Sequence, residues 1–136
     1  MSYVALYLTT LIVFLVIDAL WISNVMKPLF QAHIGDLLAD EVRFGVAAGF
    51  YAIYVAGIVY FAQIPALDGG GWSKALISGM LFGFIAYGTY EATNMATLRG
   101  WSWNLVIVDM LWGSALTGIS ALAGFWIVKA FGWTAP

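Results

Sequence analysis

Cysteine is absent from the 136-residue chain, which excludes disulfide staples, thiolate metal sites and cysteine nucleophiles. A single histidine, His33, excludes multi-histidine metal centres. Charge is scarce as well. Five basic and seven acidic side chains make up 9% of the residues, against roughly 25% in an ordinary soluble domain. No basic footprint for nucleic acid exists. What is plentiful is apolar: 63% of the residues are hydrophobic and 17% aromatic. A water-soluble fold of this length leaves roughly a third of its unfolded surface exposed, so the excess apolar area must face lipid. The sequence therefore reads as one integral membrane domain, residues 1–136.

The few charges divide the chain into apolar blocks, each near the ~20 residues a helix needs to cross a bilayer. Spans are expected at about residues 3–26, 44–64, 73–98 and 102–130, giving an all-α antiparallel four-helix membrane bundle. Lys27-Pro28 is expected to close the first span and Pro65 the second. Gly69-Gly70-Gly71 reads as a turn, Ser73 as an N-cap, and Arg99-Gly100 as the end of the third span. The short connection before Trp103 makes the last two spans an antiparallel hairpin. Trp72, Trp101, Trp103 and Trp133 suit interface anchors. Phe30, Ile34, Leu37 and Leu38, spaced helically after Pro28, suggest a short interfacial segment between the first two spans. The first block has no basic leader and no small-residue cleavage site, so it reads as a retained span. Lys27, Arg43 and Arg99 on one side outnumber Lys74 and Lys129 on the other, which places loops one and three in the cytoplasm.

Three acids fall inside the spans: Asp18, Glu91 and Asp109. Counted from the span ends, all three lie roughly 10–12 Å in from the side of loop one. Each has polar or aromatic companions at helical spacing. Asp18 precedes Trp21 by three residues and Asp109 precedes Trp112 by three, in the echoing segments Val-Ile-Asp-Ala-Leu-Trp and Ile-Val-Asp-Met-Leu-Trp. Glu91 has Tyr87 one turn before it and Asn94 one turn after. The second span adds Tyr51 and Tyr54 at comparable depth. Gly79 and Gly83, like Gly45 and Gly49, permit close helix approach. The expected result is an acidic pocket near one leaflet, walled by Trp21, Trp112, Tyr51, Tyr54 and Tyr87, with Asn94 orienting a carboxylate.

Three acids at span centres carry a penalty on the order of 8–10 kcal/mol before partners. They are expected to hold at least one proton or to surround a cation. Any one alone is equally explained as a helix clamp bonded to indole, phenol or amide. Three at one depth, among aromatics, point to a ligand, proton or substrate site. His33 reads as a solvated loop residue. No paired His-Glu motif, P-loop, nucleophile elbow or double-acid run is present, so carboxylate proton transfer or cation binding is the chemistry on offer, with no metal site and no particular cofactor indicated.

Several segments together are distinctive: Phe14-x3-Asp18-x2-Trp21, Phe50-Tyr51-x2-Tyr54-x2-Gly57, Pro65-Ala66-Leu67, the run from Ala86-Tyr87-Gly88-Thr89-Tyr90-Glu91 through Thr93-Asn94, Ala96-Thr97-Leu98 and Gly100-Trp101, and Asp109-x2-Trp112-Gly113. They resemble, over essentially the whole chain, a family of small bacterial membrane proteins known as domain of unknown function 2177. That family usually has Asp where this chain has Glu91. The resemblance implies a four-span protein of the bacterial inner membrane, encoded near lipid-modifying enzymes, and implies no established activity. The reading that follows is a protein that binds, and acts chemically on, a lipid or other amphiphile, with Asp18, Glu91 and Asp109 as proton carriers or cation ligands. The alternatives are a proton-coupled small-solute transporter working as a homodimer, and an accessory subunit of a membrane complex whose acids only clamp helices. The expected partners are membrane lipid, an amphiphilic small molecule and, for the transporter, a second copy of the chain.

Overall fold

The structure, a computed structural model, describes residues 3–37 and 43–133, and all regular structure among them is helical. Leu38 of the expected interfacial segment lies outside the described residues. Three stretches are long and apolar enough to cross a membrane: Tyr3–Ile34, Phe44–Thr97 and Trp103–Ala130. The first comprises α1 (Tyr3–Trp21), a π segment (Ile22–Met26) and α2 (Lys27–Ile34). The second comprises α3 (Phe44–Ile58), π segments at Val59–Gln63 and Ala66–Gly70, and α4 (Gly71–Thr97). The third is α5 (Trp103–Ala130).

Two expected boundaries are corrected. The helix continues through Lys27-Pro28 and through Pro65. A proline ring collides with the carbonyl four residues back in a regular α-helix. Here those carbonyls, on Asn24 and Phe61, each lie within a five-residue π segment, whose wider turn accommodates the ring. Lys27 N–H bonds to the Ile22 carbonyl and Ile64 N–H to the Val59 carbonyl, the five-residue spacing of that turn. The expected interfacial segment is accordingly the continuation of the first helix, with a 3₁₀ turn at Gly35–Leu37.

A straight helix of the 54 residues from Phe44 to Thr97 would be roughly 80 Å long. It is not straight. The Tyr54 and Phe61 rings pack on Phe82 at 5.2 and 5.7 Å, so the chain doubles back between them. The reversal lies at Asp68 (φ −85°, ψ 20°), Gly69 (φ 117°) and Gly71 (φ 77°). Positive φ at two glycines is what the triple-glycine turn supplies. Because α4 begins at Gly71, Ser73 sits inside the helix and is not its N-cap. At the other end α4 stops at Thr97, Gly100 takes φ 78°, and the Ser102 hydroxyl caps α5 by accepting from Leu105 N–H at 3.3 Å.

Small residues draw α4 and α5 together. A Cβ on Gly79 would stand 3.0 Å from Ala121 and Gly118, and one on Gly83 would meet the Gly113 carbonyl and the Thr117 hydroxyl. Gly113 in turn lies flat under the Tyr87 ring. α1 and α3 add Phe14, Val55 and Ile58 to Leu116 and Ala121 of α5 in a fully buried core. Beside it lies a polar knot that the sequence reading missed. The Gln63 amide, fully buried, donates to Thr10 Oγ1 at 2.8 Å and to the Ala121 carbonyl at 3.0 Å, where Gly124 leaves the room. The outward side of α1 is an apolar stripe, Leu8, Ile12, Val16 and Leu20, all exposed and one turn apart, suited to lipid. Gly45 and Gly49 do not mediate close approach: a Cβ on either would meet nothing within 4 Å. At these positions α3 stands clear of its neighbours.

Two outcomes test this packing. Gly83→Leu should lower the thermal midpoint in detergent by several degrees, since overpacking costs about 1–3 kcal/mol, whereas Gly49→Leu should leave it unchanged. Gln63→Leu and Thr10→Val should each destabilise by about 0.5–2 kcal/mol, the range of interhelical hydrogen bonds in membranes. Their double variant should cost less than the sum, because both break one network.

Candidate functional site

A cavity of about 940 Å³ opens at the end of the molecule where α2 and the start of α3 lie. Its size falls in the range of small-molecule sites, which is roughly 300–1,000 Å³. The walls are mainly aromatic: Trp21 and Phe30 from the first helical stretch, Phe50, Tyr51 and Tyr54 from α3, Tyr87 and Tyr90 from α4, and Trp112 from α5. Asp18 and Asp109 contribute carboxyl groups. Lys27, Gln31 and Arg43 add charge and an amide from α2 and the residue preceding α3, and small or aliphatic residues such as Val46, Ala47 and Ala86 fill the rest.

Asp18 is buried and doubly bonded across helices. The Tyr51 hydroxyl donates to Oδ2 at 2.6 Å, and the Trp112 indole N–H donates to Oδ1 at 3.3 Å. The Trp21 ring lies flat on Trp112, with centroids 4.0 Å apart and planes 5° from parallel. Trp21 Nε1 is buried and has no acceptor among the described residues. Tyr54 closes the floor, sharing a 2.7 Å hydrogen bond with the Thr117 hydroxyl and packing against Phe14, Phe82 and Tyr87.

The other two acids form a second group. Asp109 and the Glu91 carboxyl are neighbours. Glu91, fully buried, accepts the Trp101 indole N–H on Oε1 at 2.8 Å, while Oε2 has no hydrogen-bond partner among the described residues. Asp109 lies on the cavity wall, but Glu91 lies behind it and does not line the cavity. Asn94 does not line it either. It sits a turn beyond Glu91, beside the Tyr90 side chain. Among the described residues no three His, Asp or Glu side chains converge closely enough to hold a metal ion.

Of the residues singled out from sequence, Asp18, Asp109, Trp21, Tyr51, Tyr54, Tyr87 and Trp112 share this one cavity. Trp101 departs from its expected role as a surface anchor. It is buried, bonds Glu91 and packs beside Phe30 and Tyr90, because the short turn after α4 folds it back over the preceding helix. Trp72, Trp103 and Trp133 are exposed. His33 is half-buried in α2, its Nδ1 3.0 Å from the Leu29 carbonyl. Phe30, Gln31, Phe50, Tyr90 and the two rim cations were not foreseen. Phe50, beside Tyr51, and Tyr90, beside Glu91, carried a local signal.

Neither a curated protein nor a solved structure matches the chain. Residues 3–126 match the family described as predicted membrane protein (DUF2177). That match spans most of the helical stretches and every cavity residue described above, and the chain belongs to this family of membrane proteins.

Proposed function

We propose that the chain is a single-domain protein crossing the bacterial inner membrane four times, and that its cavity binds a lipid or similar amphiphile beside carboxyl groups able to hold and exchange a proton. The fold-back at Asp68–Gly71 supports four crossings, since it makes two helices of the longest apolar stretch. The observation that carries the binding reading is the cavity itself: about 940 Å³, aromatic-walled, with Asp18 and Asp109 on its surface. Aromatic rings give large apolar contact at low conformational cost, as a flexible chain requires.

The acids play different parts. Asp18 spends both oxygens on Tyr51 and Trp112 and holds three helices in register. Asp109 and Glu91 are neighbours and share one proton in this reading, since two carboxyl groups hydrogen-bond only with a proton between them. That proton is next to the cavity through Asp109. Glu91 is the proton's inner holder, kept in place by Trp101. Binding is favoured over transport by the far half of the molecule. There Leu6, Ile58, Leu116 and Val128 are fully buried, and Gln63 and Thr10 satisfy one another. An apolar layer of that depth is a barrier to ions.

Filling the cavity tests the binding reading. Ala86→Trp, on the wall, should cut co-purifying lipid at least tenfold by native mass spectrometry without loss of the helical spectrum; undiminished lipid would overturn it. Asp109→Asn tests the proton. An amide N–H can replace the shared proton, so the thermal midpoint should hold or rise, while the infrared carbonyl band of a protonated acid disappears. Persistence of that band would assign the proton elsewhere.

A further inference from the structure

The cavity's mouth differs in charge from its depth. Its lining contains two cations, Lys27 and Arg43, and two acids, Asp18 and Asp109. Asp18 lies nine residues before Lys27 on one helical stretch, so the acid level is roughly 13 Å below the cation level along the axis. The cavity's own carboxylates therefore do not sit among the rim cations, and both oxygens of Asp18 are already engaged. Lys27 and Gln31 are one turn apart on α2 and share a face. Arg43 immediately precedes α3, so the two cations approach the opening from separate elements. All three are exposed.

We infer that this rim holds the phosphate of an anionic lipid, with the lipid's chain passing inward over Phe50, Tyr51 and Tyr87. The inference rests on the amphiphile reading above and names its headgroup. A guanidinium presents a fork of donors matched to phosphate oxygens, and an ammonium adds a point charge. The Gln31 amide adds a neutral donor. A choline-type headgroup brings its own cation against Lys27 and Arg43 and forfeits that advantage. The wall below the rim, from Val46, Ala47 and Phe50, is apolar, as a chain attached to the phosphate requires. A free phosphate ion has no use for such a wall.

Full-length protein in nanodiscs of mixed phosphatidylglycerol and phosphatidylcholine provides the test, with retained lipid counted by native mass spectrometry. The wild type should favour phosphatidylglycerol at least fivefold. Lys27→Gln and Arg43→Gln should each reduce that preference, by up to about fivefold, the weight of one basic residue at an anionic surface. Arg43→Lys should retain most of it, and Lys129→Gln, at the far end of α5, should retain all of it. An unchanged preference in both glutamine variants overturns the headgroup assignment. Displacement of phosphatidylglycerol by millimolar inorganic phosphate overturns the lipid source in favour of a free anion. Should a glutamine variant fail to fold, the preference of the wild type at rising salt decides: persistence at 1 M sodium chloride overturns the inference, because contacts at an exposed rim are screened. Ala86→Trp separates this failure from failure of the cavity reading. If it sheds all lipid while the glutamine variants keep the preference, the cavity stands and the headgroup assignment falls.

Discussion

A carboxylate in an apolar helix must find donors, and Asp18 finds them on two other helices. Tyr51 comes from α3 and Trp112 from α5, so one side chain ties three elements together at a single level. Acids at such positions cost about 2.5–3.5 kcal/mol each before they are partnered. That expense keeps the tie closed. It matters most for α3, whose first turns have little else to hold them: Gly45 and Gly49 touch nothing, and Val46 and Phe50 are exposed. The cavity exists because α3 is anchored at Tyr51 and below while its start stands free.

The two ends of the molecule are built on opposite packing rules. Away from the cavity, glycines and alanines let backbones meet, as where Gly79 lies against Ala121 and Gly118. Close packing of this kind is how helices associate without a hydrophobic driving force between them. Toward the cavity, a small residue serves as the seat for a ring: Gly113 lies under Tyr87. A stiff ring propped on glycine cannot collapse inward, so the space between α3 and its neighbours stays open. The π segment at Ile22–Met26 belongs to the same device. It falls between Asp18 and Lys27 and sets the direction in which the rim residues of α2 leave the acid level.

Much of this was legible in the sequence. Runs without charge located the helices, and counting residues from their ends put Asp18, Asp109 and five aromatic residues in what is one cavity. What escaped reading had physical causes. Pro28 and Pro65 signal breaks only if the helix before them is regular, and neither is. Trp101 has the composition of an interface anchor, yet it bonds a buried glutamate ten residues back, a contact created by the turn and absent from any helical spacing. Gln63 drew no reading because a lone amide carries no periodicity. Its partner, Thr10, is fifty-three residues away. Helical spacing reports neighbours on one helix, whereas the cavity mouth is assembled from α2 and the residue before α3.

The echoing segments around Asp18 and Asp109 show how far identical spacing can diverge in chemistry. Each has an acid three residues before a tryptophan, on helices running in opposite directions. A symmetric pair would have each indole serving the other's acid. Only half of that exchange occurs. Trp112 donates to Asp18, but Trp21 stacks on Trp112 and leaves its own N–H without an acceptor among the described residues. Asp109, lacking an indole, turns to Glu91, and Glu91 takes the indole of Trp101. The asymmetry follows from the fourth acid-level partner: α4 supplies a glutamate facing α5, whereas α3 supplies a tyrosine facing α1. A phenol satisfies a carboxylate outright, but a second carboxyl satisfies it only with a proton between them. The first echo is thereby fixed as a tie, although the N–H of its own Trp21 has no acceptor among the described residues, and the second sets acid beside acid. In the proposed function, that division lets one end of a bundle this small be rigid where it holds helices and reactive where it meets an amphiphile.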